Sequence, residues 1–219
     1  SSSHGARVMR LSVKEDGNWR SFRHRNYRIL FPANAVSNIG SWAQRIAQDW
    51  LVLELTNNNG TYLGLVTAVQ FAPVLFFSLH GGKLADRFNK RKVLILTNTI
   101  GGAASLALGI LVMTDLIALW HVFLLAGILG ISTAIDAPVR QSFTTEVVGQ
   151  NDLPNAVSLN SANFNAGRLV GPAISGGLIA AFGTGPSFIV NGLSYLFVIA
   201  ALMNLNEKAF FHLDRPKSD

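Results

Sequence analysis

Residues 81–92 read Gly-Gly-Lys-Leu-Ala-Asp-Arg-Phe-Asn-Lys-Arg-Lys, five cations and one acid wedged between two long apolar segments. A helix that crosses a bilayer needs roughly 20 mostly apolar residues, and the segments on either side have that length. A stretch this basic between two such helices has to be a short loop at a membrane face. The chain therefore reads as an all-α integral membrane protein. Its composition agrees, with 14% charged and 49% hydrophobic residues against about a quarter charged in soluble proteins. The absence of cysteine removes disulfides and thiolate metal sites, and no metal or cofactor is expected.

Six segments approach or exceed spanning length: about 29–55, 61–81, 93–113, 117–138, 155–182 and 187–205. The first and fifth carry the most polar residues. They form a transmembrane domain over 22–205, preceded by a basic tail (1–21) and followed by a polar connector (206–219). The cations sort by side. Arg7, Arg10, Lys14, Arg20, Arg23, Arg25 and Arg28 precede the first span, Lys83, Arg87, Lys90, Arg91 and Lys92 follow the second, Arg140 follows the fourth, and Lys208, Arg215 and Lys217 follow the sixth. The alternate connections, 56–60, 114–116 and 183–186, hold none. That is the positive-inside pattern, and it predicts a multi-pass protein of the cell membrane with both termini in the cytoplasm. An even number of spans is what two tails on one side require. The start lacks the apolar core and cleavage site of a signal peptide. Without an initiator Met it reads as processed or cut from a longer chain. A nucleic-acid-binding arm is the rival reading of the basic tail, but anchoring already accounts for its charge, so no nucleic-acid partner is expected.

The loop has internal spacing: Gly82, then Asp86-Arg87, then Asn89-Lys90-Arg91. Gly82 allows close helix approach, Asp86 can hold cations or a helix N-terminus, and the cations pin the loop to its face. The fifth span carries Gly167-Arg168-Leu169-Val170-Gly171-Pro172-Ala173-Ile174-Ser175-Gly176-Gly177. Gly167, Gly171 and Ser175 fall four apart, a small-residue ridge against which another helix can pack. Pro172 removes a backbone donor and is expected to bend the helix. Plain packing and a gating role are both compatible with it.

The loop resembles the Gly-x-x-x-Asp-Arg-x-Gly-Arg-Arg signature of the major facilitator superfamily, in its usual place between the second and third helices. Asn89 replaces the family's second Gly, and Asn is well suited to the left-handed backbone of a tight turn. The fifth span is similar to the Gly-Pro-x-x-Gly-Gly motif of the superfamily's antiporters, with Ser175 in place of its first paired Gly. Residues 41–56, Asp136-Ala137-Pro138-Val139-Arg140-Gln141 and Arg168–Ala173 resemble the branch of enterobactin exporters and macrolide efflux pumps. The resemblance implies proton-coupled export of a small organic molecule. It also implies a twelve-helix fold of two halves, each of inverted three-helix repeats, of which this chain holds the first. Its partners are then the bilayer, a small-molecule substrate, protons, and a missing C-terminal half or a second copy. A half alone is expected not to transport, and to expose both the polar stripe of the first span and the ridge of the fifth.

Asn34, Asn38, Ser41, Arg45 and Gln48/Asp49 recur at three- and four-residue steps in the first span, one stripe of a helix. A charge near the bilayer centre costs about 2.5–3.5 kcal/mol or more, so the stripe should line a watery pathway or pair within the bundle. Asp49 is the candidate for the coupling proton, and its alternative is a structural pair with Arg45, four residues away. Arg168, the other intramembrane cation, could attract an anionic substrate or pair with an acid. Asp136 is expected to bind the loop cations Lys90 or Arg91, as the matching acid does in the superfamily. Amides and hydroxyls elsewhere in the spans, such as Gln70, Asn98, Ser132 and Asn191, are expected to bond between helices. Two other classes compete. One is a non-transporting membrane scaffold. The other is an intramembrane serine protease using Ser194, although no His shares its span and Tyr195 stands where such enzymes carry Gly.

Overall fold

The computed structural model describes residues 17–77, 80, 83 and 86–211. Among the described residues the chain is helical, with no strand. A short 3-10 turn, Arg20–Arg23, leads into α1, Arg25–Leu55; α2 is Gly60–Phe77, α3 Lys90–Met113, α4 Leu119–Phe182 and α5 Gly185–Met203. A second 3-10 turn follows at Glu207–Ala209. Residues α2 to α5 are long and apolar enough to cross a membrane. The helix α1 is about 46 Å long at 1.5 Å per residue, but its polar stripe keeps it less apolar than the others.

Local chemistry ends each helix. Thr56 Oγ1 bonds back to the Val52 carbonyl at 2.7 Å, and Asn57 and Asn58 then take left-handed backbone (φ 53° and 64°), which stops α1. Asp115, with φ 56°, follows the end of α3. Asn89 behaves differently from the expectation. Its φ is −63° and its side chain accepts the Lys92 N–H at 3.2 Å, so it caps the start of α3. A short amide side chain serves either role, and here the orphan N–H groups of the first helical turn decide which.

The long element α4 is two arms, 119–148 and 150–182, meeting at Gly149, whose φ of 76° and ψ of 167° are not helical. The arms run in opposite directions. Val122 and Ala126 share one core cluster with Leu51, Leu108 and Phe188. Val139, Phe143 and Val147 share the other with Tyr27, Leu94 and Leu202, and Ala156 of the second arm returns to it. Gly149 has a second reason to lack a side chain, since a Cβ there would lie 3.1 Å from the Phe211 ring. The first arm continues ten residues past the expected span end at 138. Val139, Phe143 and Val147 recur every four residues and are buried, so the helix earns its continuation by packing. The helix also runs on through Pro172.

The second arm and α5 both pack on α1, while α3 packs on α5 and α4, and α2 on α4. The two apolar clusters are separated by a waist of small and polar residues. There Asn191 of α5 donates to Gln44 of α1, lies 3.5 Å from Ser105 of α3, and accepts from Ser41 at 3.5 Å. Ser132 donates to the Thr97 carbonyl at 2.8 Å and Gln48 to Gln70 at 2.7 Å. In a lipid setting, where apolar burial between helices counts for little, close contacts and such bonds hold helices together.

Candidate functional site

One end of the bundle collects the charge. Lys90 Nζ bonds Glu146 at 2.9 Å, and Arg91 bonds Glu207 at 3.1 Å and the Met203 carbonyl at 2.9 Å. Asp86, Arg87 and Asn89 line a depression of about 470 Å³ with these pairs, Phe143 and Phe210. Gly82 and the tail cations Arg7, Arg10, Lys14, Arg215 and Lys217 lie outside the described residues. Asp136 does not reach the loop cations. It takes Arg140 at 2.9 Å, one helical turn away, and the hydroxyl of Thr97 at 2.6 Å. The acid that meets Lys90 is Glu146, because the first arm carries its helix on past Asp136 by more than two turns.

Asp152, buried just beyond the Gly149 break, gathers two arginines and a histidine. Arg23 lies at 2.7 Å, His24 at 2.6 Å and Arg20 at 3.4 Å. Ser21 adds bonds to Asn155, at 2.7 Å from its hydroxyl and 2.9 Å from its N–H. The segment before α1 is thus strapped to the start of the second arm. A sequence cue existed, since Asp152 precedes Pro154 as a helix-start acid does, but nothing in the sequence tied it to residues 20–24. Replacing Asp152 with Ala removes the common partner of Arg20, Arg23 and His24. The expected result is release of the strap, read as faster trypsin cleavage after Arg20 and Arg23 than in the unchanged protein.

The α1 stripe divides. Asn38 donates to the Asn163 carbonyl at 2.9 Å, and Ser41 and Gln48 bond inward as described. Asn34, Arg45 and Asp49 stay half-buried. Arg45 does not pair with Asp49. Its guanidinium lies 4.6 Å from the Phe71 ring and 5.2 Å from the Trp42 ring, and no ion pair among the described residues includes Asp49. Aromatic faces are a good partner for a desolvated guanidinium, and they leave the carboxylate without a contact ion.

The small-residue ridge is not exposed as expected. A Cβ at Gly171 would meet Trp42 Cβ at 2.6 Å and the Ile39 carbonyl at 2.8 Å, and one at Gly167 would run into Asn38. Ser175 is buried, 3.2 Å from Ser187. The ridge is used within the bundle, against α1 and α5. Gly176 and Gly177 point into open space, Pro172 is half-buried, and Arg168 is exposed with no ion-pair partner among the described residues.

Ser194 donates to the Asn191 carbonyl at 2.6 Å, deep in the waist, which is the bond of a packing serine. Among the described residues no group of His, Asp and Glu could hold a metal ion. Apolar helices of spanning length, charge gathered at one end, and a polar stripe left half-open on a long helix describe a membrane-type bundle. Residues 16–212 match the transmembrane secretion effector family, and the chain belongs to that family of the major facilitator superfamily. It is 26% identical over 182 residues to the staphyloferrin A transporter of Staphylococcus aureus, covering 83% of this chain and 46% of that one. It is 28% identical to the multidrug efflux pump Tap of Mycolicibacterium fortuitum over 71% of this chain and 39% of the pump. With Tap of Mycobacterium tuberculosis the identity is 27%, over 87% and 47%. The chain spans about half the length of these curated relatives, and it is a protein of the cell membrane.

Proposed function

We propose that this chain is the first half of a two-half exporter that moves a small organic molecule out of the cell against an inward flow of protons. Its six spans are α1, α2, α3, the two arms of α4, and α5, with both chain ends cytoplasmic. The cargo class, drug or siderophore, follows the names of the relatives. The observation that carries the reading is the face of α1. A helix long enough to cross the membrane leaves Asn34, Arg45 and Asp49 half-open instead of buried. Beside it the second arm of α4 exposes Ser161, Asn165 and Arg168. On α5, Leu193, Leu196, Phe197 and Met203 are exposed, apolar as a lipid-facing surface should be. The open polar face lines the pathway, Asp49 carries the coupling proton, and the second half covers it.

Asp86, Lys90 and Arg91 then sit at the cytoplasmic face, and the loop acts against the second half. Gly167, Gly171 and Pro172 hold the second arm to α1, while Gly176 and Gly177 are free to meet a moving partner.

The lack of cysteine makes the orientation directly testable. Asn58→Cys is expected to react with a membrane-impermeant maleimide in intact cells, and Asp86→Cys only after permeabilisation. In cells that carry the complete two-half exporter, export of its cargo should stop when a protonophore collapses the gradient. Equal labelling at both positions would reverse the topology, and export indifferent to the protonophore would remove the proton coupling.

A further inference from the structure

Arg168 is a membrane-depth cation that the pathway has not yet put to use. It stands about 20 Å from either end of the 155–182 span at 1.5 Å per residue, beyond the reach of an arginine side chain to a lipid headgroup. It is exposed and has no ion-pair partner among the described residues. Of the nearby acids, Asp136 holds Arg140 and Asp152 holds the 20–24 strap, while Asp49 of α1 makes no ion pair among the described residues.

Its surroundings have a pattern. Phe164 lies one turn before Arg168 on the same helix face and is half exposed. The Phe164 ring meets Trp42 of α1 edge-on at 5.4 Å between centroids. Arg45 lies over Trp42 and over Phe71 of α2. An aromatic cluster drawn from three helices therefore carries Arg45 against its rings and has Arg168 one turn from Phe164. Asp49 is the acid one turn from Arg45, so the patch carries a net positive charge.

We infer that this cluster is the substrate-recognition patch, and that it selects organic anions: a flat apolar body packs into the corner between Trp42 and Phe164 while Arg168, aided by Arg45, binds its carboxylate. The inference rests on the open face of α1 being the transport pathway. Guanidinium and carboxylate match in a two-pronged geometry that a neutral isostere cannot reproduce. Away from bulk water, the loss of such a charge-assisted bond weakens binding about tenfold or more.

The test compares 2-naphthoate with 2-naphthamide, which have nearly the same shape and differ in charge. Binding is measured calorimetrically on the intact protein in lipid nanodiscs. The expected result is naphthoate binding at least about tenfold tighter than the amide, a preference that Arg168→Gln abolishes and Arg168→Lys keeps in part. The thermal midpoint of Arg168→Gln should match that of the unchanged protein, because the side chain is exposed. Equal affinity for the two probes overturns the inference while leaving the pathway standing, and would assign Arg168 to a protein carboxylate. Binding of neither probe, together with export unaffected by Asp49→Asn, overturns the inference and the pathway reading with it.

Discussion

Asp49→Asn is expected to reduce proton-driven export by at least about tenfold, a change of about 1.4 kcal/mol or more in the rate-limiting barrier, with the protein still reaching the membrane in normal amount. Asn has nearly the same size and keeps the hydrogen-bonding capacity of the side chain, but it cannot take up and release a proton. The structure leaves the carboxylate without the contact ion pair that its spacing from Arg45 suggested. Arg45 is four residues away, yet its guanidinium rests on Phe71 and Trp42, so protonating Asp49 does not first require a contact ion pair to break. Asp49→Glu should retain part of the activity. The measurement is substrate accumulation in energised everted vesicles that carry the complete two-half exporter, with proton movement followed in parallel by a pH-sensitive dye. Undiminished efflux and proton flux in Asp49→Asn would return Asp49 to a structural role.

A comparably large effect is expected at Gly171, on stability. Leucine there has to occupy space already filled by Trp42 Cβ and the Ile39 carbonyl at 2.6 and 2.8 Å. Backbone and Cβ atoms cannot swing aside as the end of a long side chain can, so α1 and the second arm of α4 must separate. Overpacking commonly costs about 1–3 kcal/mol, and here it also breaks the Asn38 bond to the Asn163 carbonyl. Gly171→Leu should lower the thermal midpoint of the purified protein sharply and reduce its yield. Gly176→Ala and Gly177→Ala, where an added Cβ meets nothing within 4 Å, should leave the midpoint unchanged. If all three variants behaved alike, the packing of α1 on the second arm would have to be different.

Both predictions concern residues that the sequence singled out, but the structure changed what two of the groups do. The glycines of residues 167–177 look like one motif in sequence, and the structure splits them into a packed pair and an open pair. The four-residue spacing of Gly167 and Gly171 places them on one helix face, and only the position of α1 says that this face is covered. Asp136 was the natural partner for the loop cations, being an acid near the right end of its span. Glu146 takes that place because Val139, Phe143 and Val147 continue an apolar stripe, and the stripe carries the helix onward. That periodicity was present in the sequence, hidden by the proline at 138.

Asp152 shows the same limit from the other side. Arg20, Arg23 and His24 lie well over a hundred residues before it, and no local pattern encodes a contact at that separation. The buried amide waist is similar. Asn191 reads as a lone polar residue in an apolar span and Gln44 sits among the polar residues of the first span, and their bond exists only because α1 and α5 cross where they do.

By itself the sequence determined the class of protein and its family, and it set an expectation for which side its charges face. Hydropathy, length and the spacing of the loop motif are local properties, and the cost of putting charge or bare backbone into lipid leaves them few interpretations. The tertiary structure decided which polar face stays open, which glycines are packed, and which acid meets which cation. Those depend on how the helices lie against one another, and in a membrane-type bundle that is set by close contacts and a few long-range bonds whose partners are far apart in the chain.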